Sequence, residues 1–346
     1  MKKSYFNRII GYLPYYLRKK TNRKIVVIES DDWGQERATN KDAINWAEWK
    51  YGKDNFTRWT TDSLETIEDL KLLFDLLNSF QNSFQNNPII TANFITHNID
   101  YKNSSTLTFK SIAETNPALH QMYLTGMNQN ILRPQLHGFC HYNLSQVYNY
   151  FNSIEGKEEF ENNFFFAKTT IKGNLSTLEG ECATSNLNYE AQLISAQRVF
   201  NETFGFYSET FVPPRFIIDS KIIKLLSKNK IKCMQGGNRL VNANKQKYLV
   251  PFYRKHLNQI WLNRNCRLDP HIDYNYNSGQ CIDSINWAFK NQQPAVIDFH
   301  RVNLSGNFTP EYRDKSLHEL AKVLTYLKVN HPDTLFISSD NLHKYF

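Results

Sequence analysis

With 346 residues, 41% of them hydrophobic and 21% charged, the chain is long enough to bury a full core, and no apolar run approaches the roughly 18 residues of a membrane span. Composition therefore excludes a helical integral membrane protein, while a formal charge of +8 and a pI of about 9.0 suit an acidic partner: nucleic acid, anionic lipid or an acidic polysaccharide. Aromatic residues at 14% fit either base stacking or a sugar cleft, and five scattered cysteines without a C-x-x-C pair argue for a reducing compartment rather than a disulfide framework.

Residues 1–23 form a basic amphipathic segment in which Lys2, Lys3, Arg8, Arg18 and Lys19 alternate with aromatic and aliphatic side chains. Arg8 interrupts what would be the apolar stretch of a signal peptide, and no small-residue cleavage site follows. The expectation is a cytoplasmic protein in which this segment is a strand or helix closing one end of the domain; contact of the segment with the inner membrane face is the alternative. Next come four consecutive β-branched residues, 25–28, the mark of a strand buried on both faces in a parallel sheet. That strand runs into Asp31 and Asp32. Two carboxylates beside a dry core need a cation or hydrogen-bond donors, so the pair marks a ligand site at the carboxyl end of a parallel strand; alternatively it caps a following helix, with Gly34 making the turn.

The polar stretch with Trp46, Trp49 and Trp59 reads as a loop over the strand ends. An amphipathic helix is expected from a cap at Asp62 or Ser63 to about Phe80, and a second strand over 89–96, ending at His97, which could face the same site as Asp31. In Arg133-Pro134-Gln135-Leu136-His137-Gly138-Phe139-Cys140-His141, two histidines four apart reach one metal only if the chain coils: an extended strand would part their Cα atoms by roughly 13 Å, a helical turn by about 6 Å. Residues 144–203 are helical in tendency, closed by Gly205. Thr210 to Phe216 is a short strand running into the rigid Pro213-Pro214 pair, residues 222–231 a helix and a strand, and Gly236-Gly237-Asn238 a turn. The basic stretch 245–267 fits no element. A helix over 282–289, a strand over 295–301 that puts Asp298 and His300 on one face, a helix over 317–327 and a strand over 334–338 complete the chain. Alternating strands and helices without a linker or repeat give one α/β domain, residues 24–346, of barrel type.

One aspartate and two histidines supply three ligands for a divalent ion and leave room for water and substrate, which is the pattern of a catalytic rather than a structural metal site. A neighbouring carboxylate is then free as a base, and a late-strand histidine as an acid, for hydrolysis of an acyl group.

These residues resemble the polysaccharide deacetylase family, carbohydrate esterase family four or the chitooligosaccharide deacetylase homology domain. Ser30-Asp31-Asp32-Trp33-Gly34 is similar to its T-F-D-D-G motif, His137 to His141 to its H-S-x-x-H motif, Phe211 to Arg215 stands in the place of R-P-P-Y, and Asp298-Phe299-His300 in that of L-x-H. The context of His137 resembles a bacterial branch found with cell-envelope and capsule polysaccharide genes, over residues 24–345. The resemblance implies a distorted (β/α) barrel with long loop insertions, in which Asp32, His137 and His141 hold a divalent metal, Zn2+ first among candidates. It makes Asp31 the general base, His300 the general acid and the backbone N–H of Arg215 an oxyanion donor. Val212 replaces the family's base-orienting arginine, a role that passes to Arg215 or Arg301, and Asp269, Asp273 and Asp298 are the candidates to orient His300. The expected function is removal of acetyl, from nitrogen more than from oxygen, from an envelope or capsular polysaccharide; a catalytically silent sugar-binding relative is the alternative, and nucleic acid is not an expected partner.

Overall fold

A computed structural model of the chain describes residues 19–102, 106–114, 116–173, 178–237, 240–248, 253, 255–256, 258–273 and 275–346. Most of the basic N-terminal segment, residues 1–18, and Asn238 of the expected turn lie outside the described residues. Ten strands join in one sheet: β1 (Ile25–Trp33), β2 (Ile90–Ile95), β3 (Leu132–Gly138), β4 (Thr210–Phe211), β5 (Cys233–Met234), β6 (Lys255–His256), β7 (Gln259–Trp261), β8 (Cys266–Arg267), β9 (Ala295–Asp298) and β10 (Leu335–Phe336). Their spatial order is β6-β7-β5-β4-β3-β2-β1-β9-β8, with β10 also on β1, and every pairing except β6 with β7 is parallel. All nine residues of β1 are buried, as a strand covered on both faces requires.

One extended run, residues 259–268, brings the two ends of this curled sheet together. Its first half bonds to β5, with Leu262 N donating to Met234 O (2.7 Å) and Arg264 N to Gly236 O (2.8 Å). Its second half bonds to β9, with Asn265 N donating to Val296 O (3.1 Å) and Leu268 N to Asp298 O (2.9 Å). The fold is a distorted (β/α) barrel, and the stretch that the sequence leaves unassigned is the one that links its ends.

The helices are α1 (Lys41–Tyr51), α2 (Ile67–Asn78), α3 (Pro117–Asn128), α4 (Leu144–Phe151), α5 (Ile154–Glu161), α6 (Tyr189–Phe204), α7 (Ser220–Lys228), α8 (Ser278–Lys290), α9 (Pro310–Asn330) and α10 (Ser339–Leu342). Three expectations need correction. The Trp-rich stretch contains α1, not loop alone: Asn40 accepts from Ala43 N, and Ala43 and Ala47 are buried one turn apart. Helix α2 starts later than expected, from a reciprocal cap between Thr66 and Asp69, because Asp62 gives its carboxylate to Arg301 and Ser63 N donates to Ser305 Oγ. Residues 144–203 hold three helices, and Phe151, Phe160, Phe165 and Tyr142 build a separate apolar cluster there beside the barrel mouth. The five cysteines are buried and free, and no helix among the described residues is long and apolar enough to cross a membrane.

Candidate active site

In an unbroken strand, neighbouring side chains point to opposite faces, so Asp31 and Asp32 could not share a cavity. The β1–β2 register shifts between Ser30 and Trp33, and Asp32 takes φ 67°, the left-handed region. The irregularity turns both carboxylates into one cavity of about 400 Å³ at the carboxyl ends of the parallel strands. Arg301, fully buried, fastens this bend by donating to the carbonyls of Asp32 (2.9 Å) and Gln35 (3.1 Å).

Strand β3 ends at Gly138, and the next residues coil, with His141 at φ 76°. Buried Glu181 holds the coil: it accepts from the backbone N–H groups of Phe139 (2.8 Å), Cys140 (3.1 Å) and His141 (2.7 Å). Both imidazoles thereby reach Asp32, whose Oδ1 lies 3.2 Å from His137 Nε2 and 3.5 Å from His141 Nε2. His137 Nδ1 is 2.8 Å from Val212 O, which can only accept, so the ring hydrogen sits on Nδ1. Glu179 Oε2 is 3.1 Å from His141 Nδ1 and favours the hydrogen there by its charge, although the pair lacks hydrogen-bond geometry. Three atoms that carry lone pairs therefore face one another, all within 4.8 Å and all buried, and Asp32 Oδ1 has no hydrogen-bond donor of good geometry. A proton on one imidazole or a bound cation relieves such a cluster, and the donor set of one carboxylate and two imidazoles fits a divalent ion of the zinc type. Burial pushes the Asp32 carboxyl up, but His137, His141 and Arg37 outweigh it and hold it well below the usual range. His137 is displaced upward because Asp31 and Asp32 outweigh its burial.

Asp31 faces a different partner. Arg264 donates Nη1 to its Oδ2 (2.6 Å) and Nη2 to its Oδ1 (2.7 Å), and Asn93 Nδ2 adds a bond to Oδ1 (2.8 Å). The same guanidinium reaches Glu29 Oε2 (2.5 Å) and Asp298 Oδ1 (2.7 Å). Burial raises the Asp31 carboxyl, and Arg264 and then His137 overcome that and keep it ionised far below its ordinary value. The expected orienting residues, Arg215 and Arg301, make no hydrogen bond or ion pair with it: Arg301 is spent on the bend, Asp62 and Glu65, and Arg215 is an exposed residue of the cavity lining. Sequence reasoning missed Arg264, Glu179 and Glu181. A signal existed for the first, since Glu29 and Asp31, two apart on one strand, share a face that needs a cation.

His300 lines the cavity with its Nδ1 3.0 Å from Asp269 Oδ2, and its backbone N–H donates to Asp269 Oδ1 (2.9 Å). Asp269 is the orienting carboxylate. Asp298 stands farther off, at 3.7 Å, and Asp273 is an exposed loop residue. Burial lowers the imidazole, but Asp269 and Asp298 prevail and push it up to about 10, so it carries its proton at neutral pH. The Arg215 N–H has no partner among the described residues, while the next two amides close the turn onto Pro213 and Pro214. His97 does not join the site: its ring stacks on Phe139 at 3.8 Å, and its Nδ1 contacts Thr96 Oγ1.

A family model described as "Glycosyl hydrolase family 57" matches residues 12–336. No curated protein matches the chain. Among solved structures, the Xyl-CE4 domain of a multidomain xylanase from the hindgut metagenome of Trinervitermes trinervoides is similar with a TM-score of 0.42 and 9% identity, over 93% of this chain and 90% of that one. A 4-alpha-glucanotransferase from Thermococcus litoralis aligns at TM-score 0.47 and 8% identity over 94% of this chain, which spans 40% of that enzyme. A peptidoglycan deacetylase from Bacillus subtilis aligns at TM-score 0.40 and 11% identity, over 94% and 92% of the two chains.

Proposed function

The chain belongs to glycosyl hydrolase family 57, and on the site its deacetylase-like motifs build we propose that this carbohydrate-active hydrolase removes an acetyl group from a sugar of an envelope or capsular polysaccharide, N-acetyl before O-acetyl. The observation that supports this reading best is the division of labour between two adjacent aspartates: Asp32 faces two imidazoles, and Asp31 is tethered by Arg264. Asp32, His137 and His141 would hold a divalent cation, Zn2+ by preference, which when bound polarises an acyl carbonyl and acidifies water.

The remaining work falls to the chain's own side chains. Asp31 Oδ1 already accepts two bonds and Oδ2 one, so the free lone pair that takes a proton from water is on Oδ2. Arg264 keeps that oxygen ionised and aimed, at some cost in basicity. His300, protonated and held at Nδ1 by Asp269, presents Nε2 to give its proton to the departing amine or alkoxide. The unpartnered N–H of Arg215 suits the developing oxyanion. The substrate is an acetylated carbohydrate, and the basic N-terminal segment would bring the protein to the inner membrane face.

A second reading, cleavage of a glycosidic bond, has its own observation. Burial raises the Asp298 carboxyl while Asp31 is held low, and ligand atoms of Asp31, Asp298 and His300 lie within 4.8 Å of one another. A close carboxyl pair with split proton affinities is what retaining glycosidases use. Acetylated and de-acetylated oligosaccharides offered side by side separate the readings: acetate without new reducing ends supports deacetylation, and reducing ends without acetate support the second. Acetate release by Asp31→Asn at near wild-type rate, with metal retained, removes Asp31 as base.

A further inference from the structure

Neither the net charge of +8 nor one cation at the cavity has a part in the proposed chemistry. Each acidic group lining the cavity has a basic neighbour: Asp31 and Asp298 share Arg264, Asp32 faces Arg37 and two imidazoles, and Glu179 stands beside His141. The lining arginines are similarly committed, Arg37 to Asp32, Asp62 and the Tyr142 hydroxyl, and Arg267 to Asp269 at 2.8 Å. Arg215 is the exception. It is exposed, and among the described residues its guanidinium makes no direct ion pair or hydrogen bond; its nearest engagement is at a distance, with Glu179, whose carboxyl it helps His141 to hold low.

Its backbone gives a second, independent indication. Arg215 and Phe216 are consecutive left-handed residues, at φ 57° and 55°, a conformation bulky side chains adopt only where the surroundings enforce it. The enforcement is visible: Val212, Pro213 and Pro214 are buried, and the Phe216 N–H donates to Pro213 O at 2.8 Å. The strained turn sets a cation and an aromatic ring side by side on the cavity wall. One face of the Phe216 ring is covered by the Arg264 guanidinium, whose carbon lies 5.6 Å from the ring centre, and the half-exposed ring itself lines the cavity.

We propose that Arg215 and Phe216 form a subsite for an anionic sugar, one carrying a carboxylate or a phosphate, so that the substrate is an acidic polysaccharide. The inference rests on the reading that this cavity acts on carbohydrate. The planar guanidinium pairs with either anion through two parallel bonds, and Phe216 takes the apolar face of the ring.

The test titrates the full chain by calorimetry with methyl β-D-glucuronide, glucose 6-phosphate and methyl β-D-glucoside. At least one anionic probe binds about tenfold or more tightly than the glucoside, with an advantage that shrinks as salt rises. Arg215→Gln lowers that affinity ratio about tenfold at unchanged melting temperature, and Arg215→Lys restores part of it. Whichever anion binds more tightly identifies the source. Equal affinity for all three probes, no anion binding, or an anion preference that survives in Arg215→Gln overturns the proposal. Acetate assays keep the two readings apart: equally efficient release from neutral and acidic acetylated oligosaccharides preserves the proposed reaction and sinks the anionic subsite, whereas an anion preference without acetate release does the reverse.

Discussion

The guanidinium of Arg264 meets the carboxylate of Asp31 in two parallel contacts of 2.6 and 2.7 Å, across 233 residues of sequence. Around that pair the barrel interior holds three buried carboxylates, Glu29, Asp31 and Asp298, on one guanidinium, with the Ser339 hydroxyl donating to Glu29 Oε1 at 2.6 Å and protonated His300 near Asp298. The arrangement carries charge that neither the core nor water can neutralise.

Removing the shared cation should therefore cost more than any one ion pair. Arg264→Gln removes the one cation that three buried carboxylates share, leaving them only the Ser339, Asn93 and His300 contacts, and breaking even a single buried pair costs roughly 3–5 kcal/mol. Arg264→Lys should be nearly as damaging, since an ammonium cannot span two oxygens of Asp31 while reaching Glu29 and Asp298. Urea unfolding at pH 7 measures both; a loss below about 1 kcal/mol, the worth of an exposed pair, contradicts the assigned role.

How much of this was legible beforehand differs from residue to residue. The barrel class follows from the buried run 25–28 and from strands recurring between helices, and the spacing of His137 and His141 already requires a coil. Arg264 was hidden because its partners are distant in sequence and because it interrupts the alternation of its own run: Ile260, Leu262, Cys266 and Leu268 fall at every second position, with the arginine between them, while the run pairs with β5 and β9 by halves. Glu181 was hidden for another reason. Its job is to accept three backbone N–H groups, and backbone donors leave no trace in side-chain patterns. The expected cap at Asp62 or Ser63 failed because tertiary partners claimed both residues.

The coil between the histidines should depend on Glu181 as strongly as on the histidines themselves. In Glu181→Gln the amide oxygen can keep the Cys140 and His141 donors only by turning its NH2 toward the Phe139 N–H, leaving that donor unsatisfied at a cost of roughly 1–3 kcal/mol. Gly138→Ala attacks the same contact from the other side: at φ 155° an added Cβ would lie 2.7 Å from a Glu181 oxygen. Both variants should lose stability in urea and weaken Zn2+ uptake in a competition titration. Wild-type uptake by either would mean that the coil is not held by this carboxylate.

Metal uptake itself gives a prediction independent of turnover. His137→Ala and His141→Ala should bind no stoichiometric Zn2+ by elemental analysis, and a chelator should lower the melting temperature of the wild type but not of these variants. Glu179→Ala removes only the carboxylate behind His141 and should weaken uptake by about 10–100-fold. Stoichiometric zinc in His137→Ala would exclude the Asp32–His137–His141 set.

Away from the cavity, Glu159 of α5 is buried with no cation beside it. Tyr51 Oη donates to its Oε1 at 2.6 Å and Lys168 N at 3.0 Å, Oε2 is buried without a donor, and the Lys168 ammonium is engaged by Glu155. Burial dominates and pushes this carboxyl, ordinarily at 4.5, up to about 8. Because the folded value lies above the unfolded one, the fold prefers the protonated form: its contribution is fully present below pH 4.5 and is lost as pH rises through 8. Glu159→Gln keeps the shape, accepts from Tyr51 and cannot ionise. It should match the wild type near pH 4 and exceed it by roughly 2–4 kcal/mol at pH 9, the difference opening between those limits. Denaturant midpoints taken across that range for both proteins measure it; curves that stay parallel would show that Glu159 is ionised in the folded chain throughout, and that water reaches this buried carboxylate.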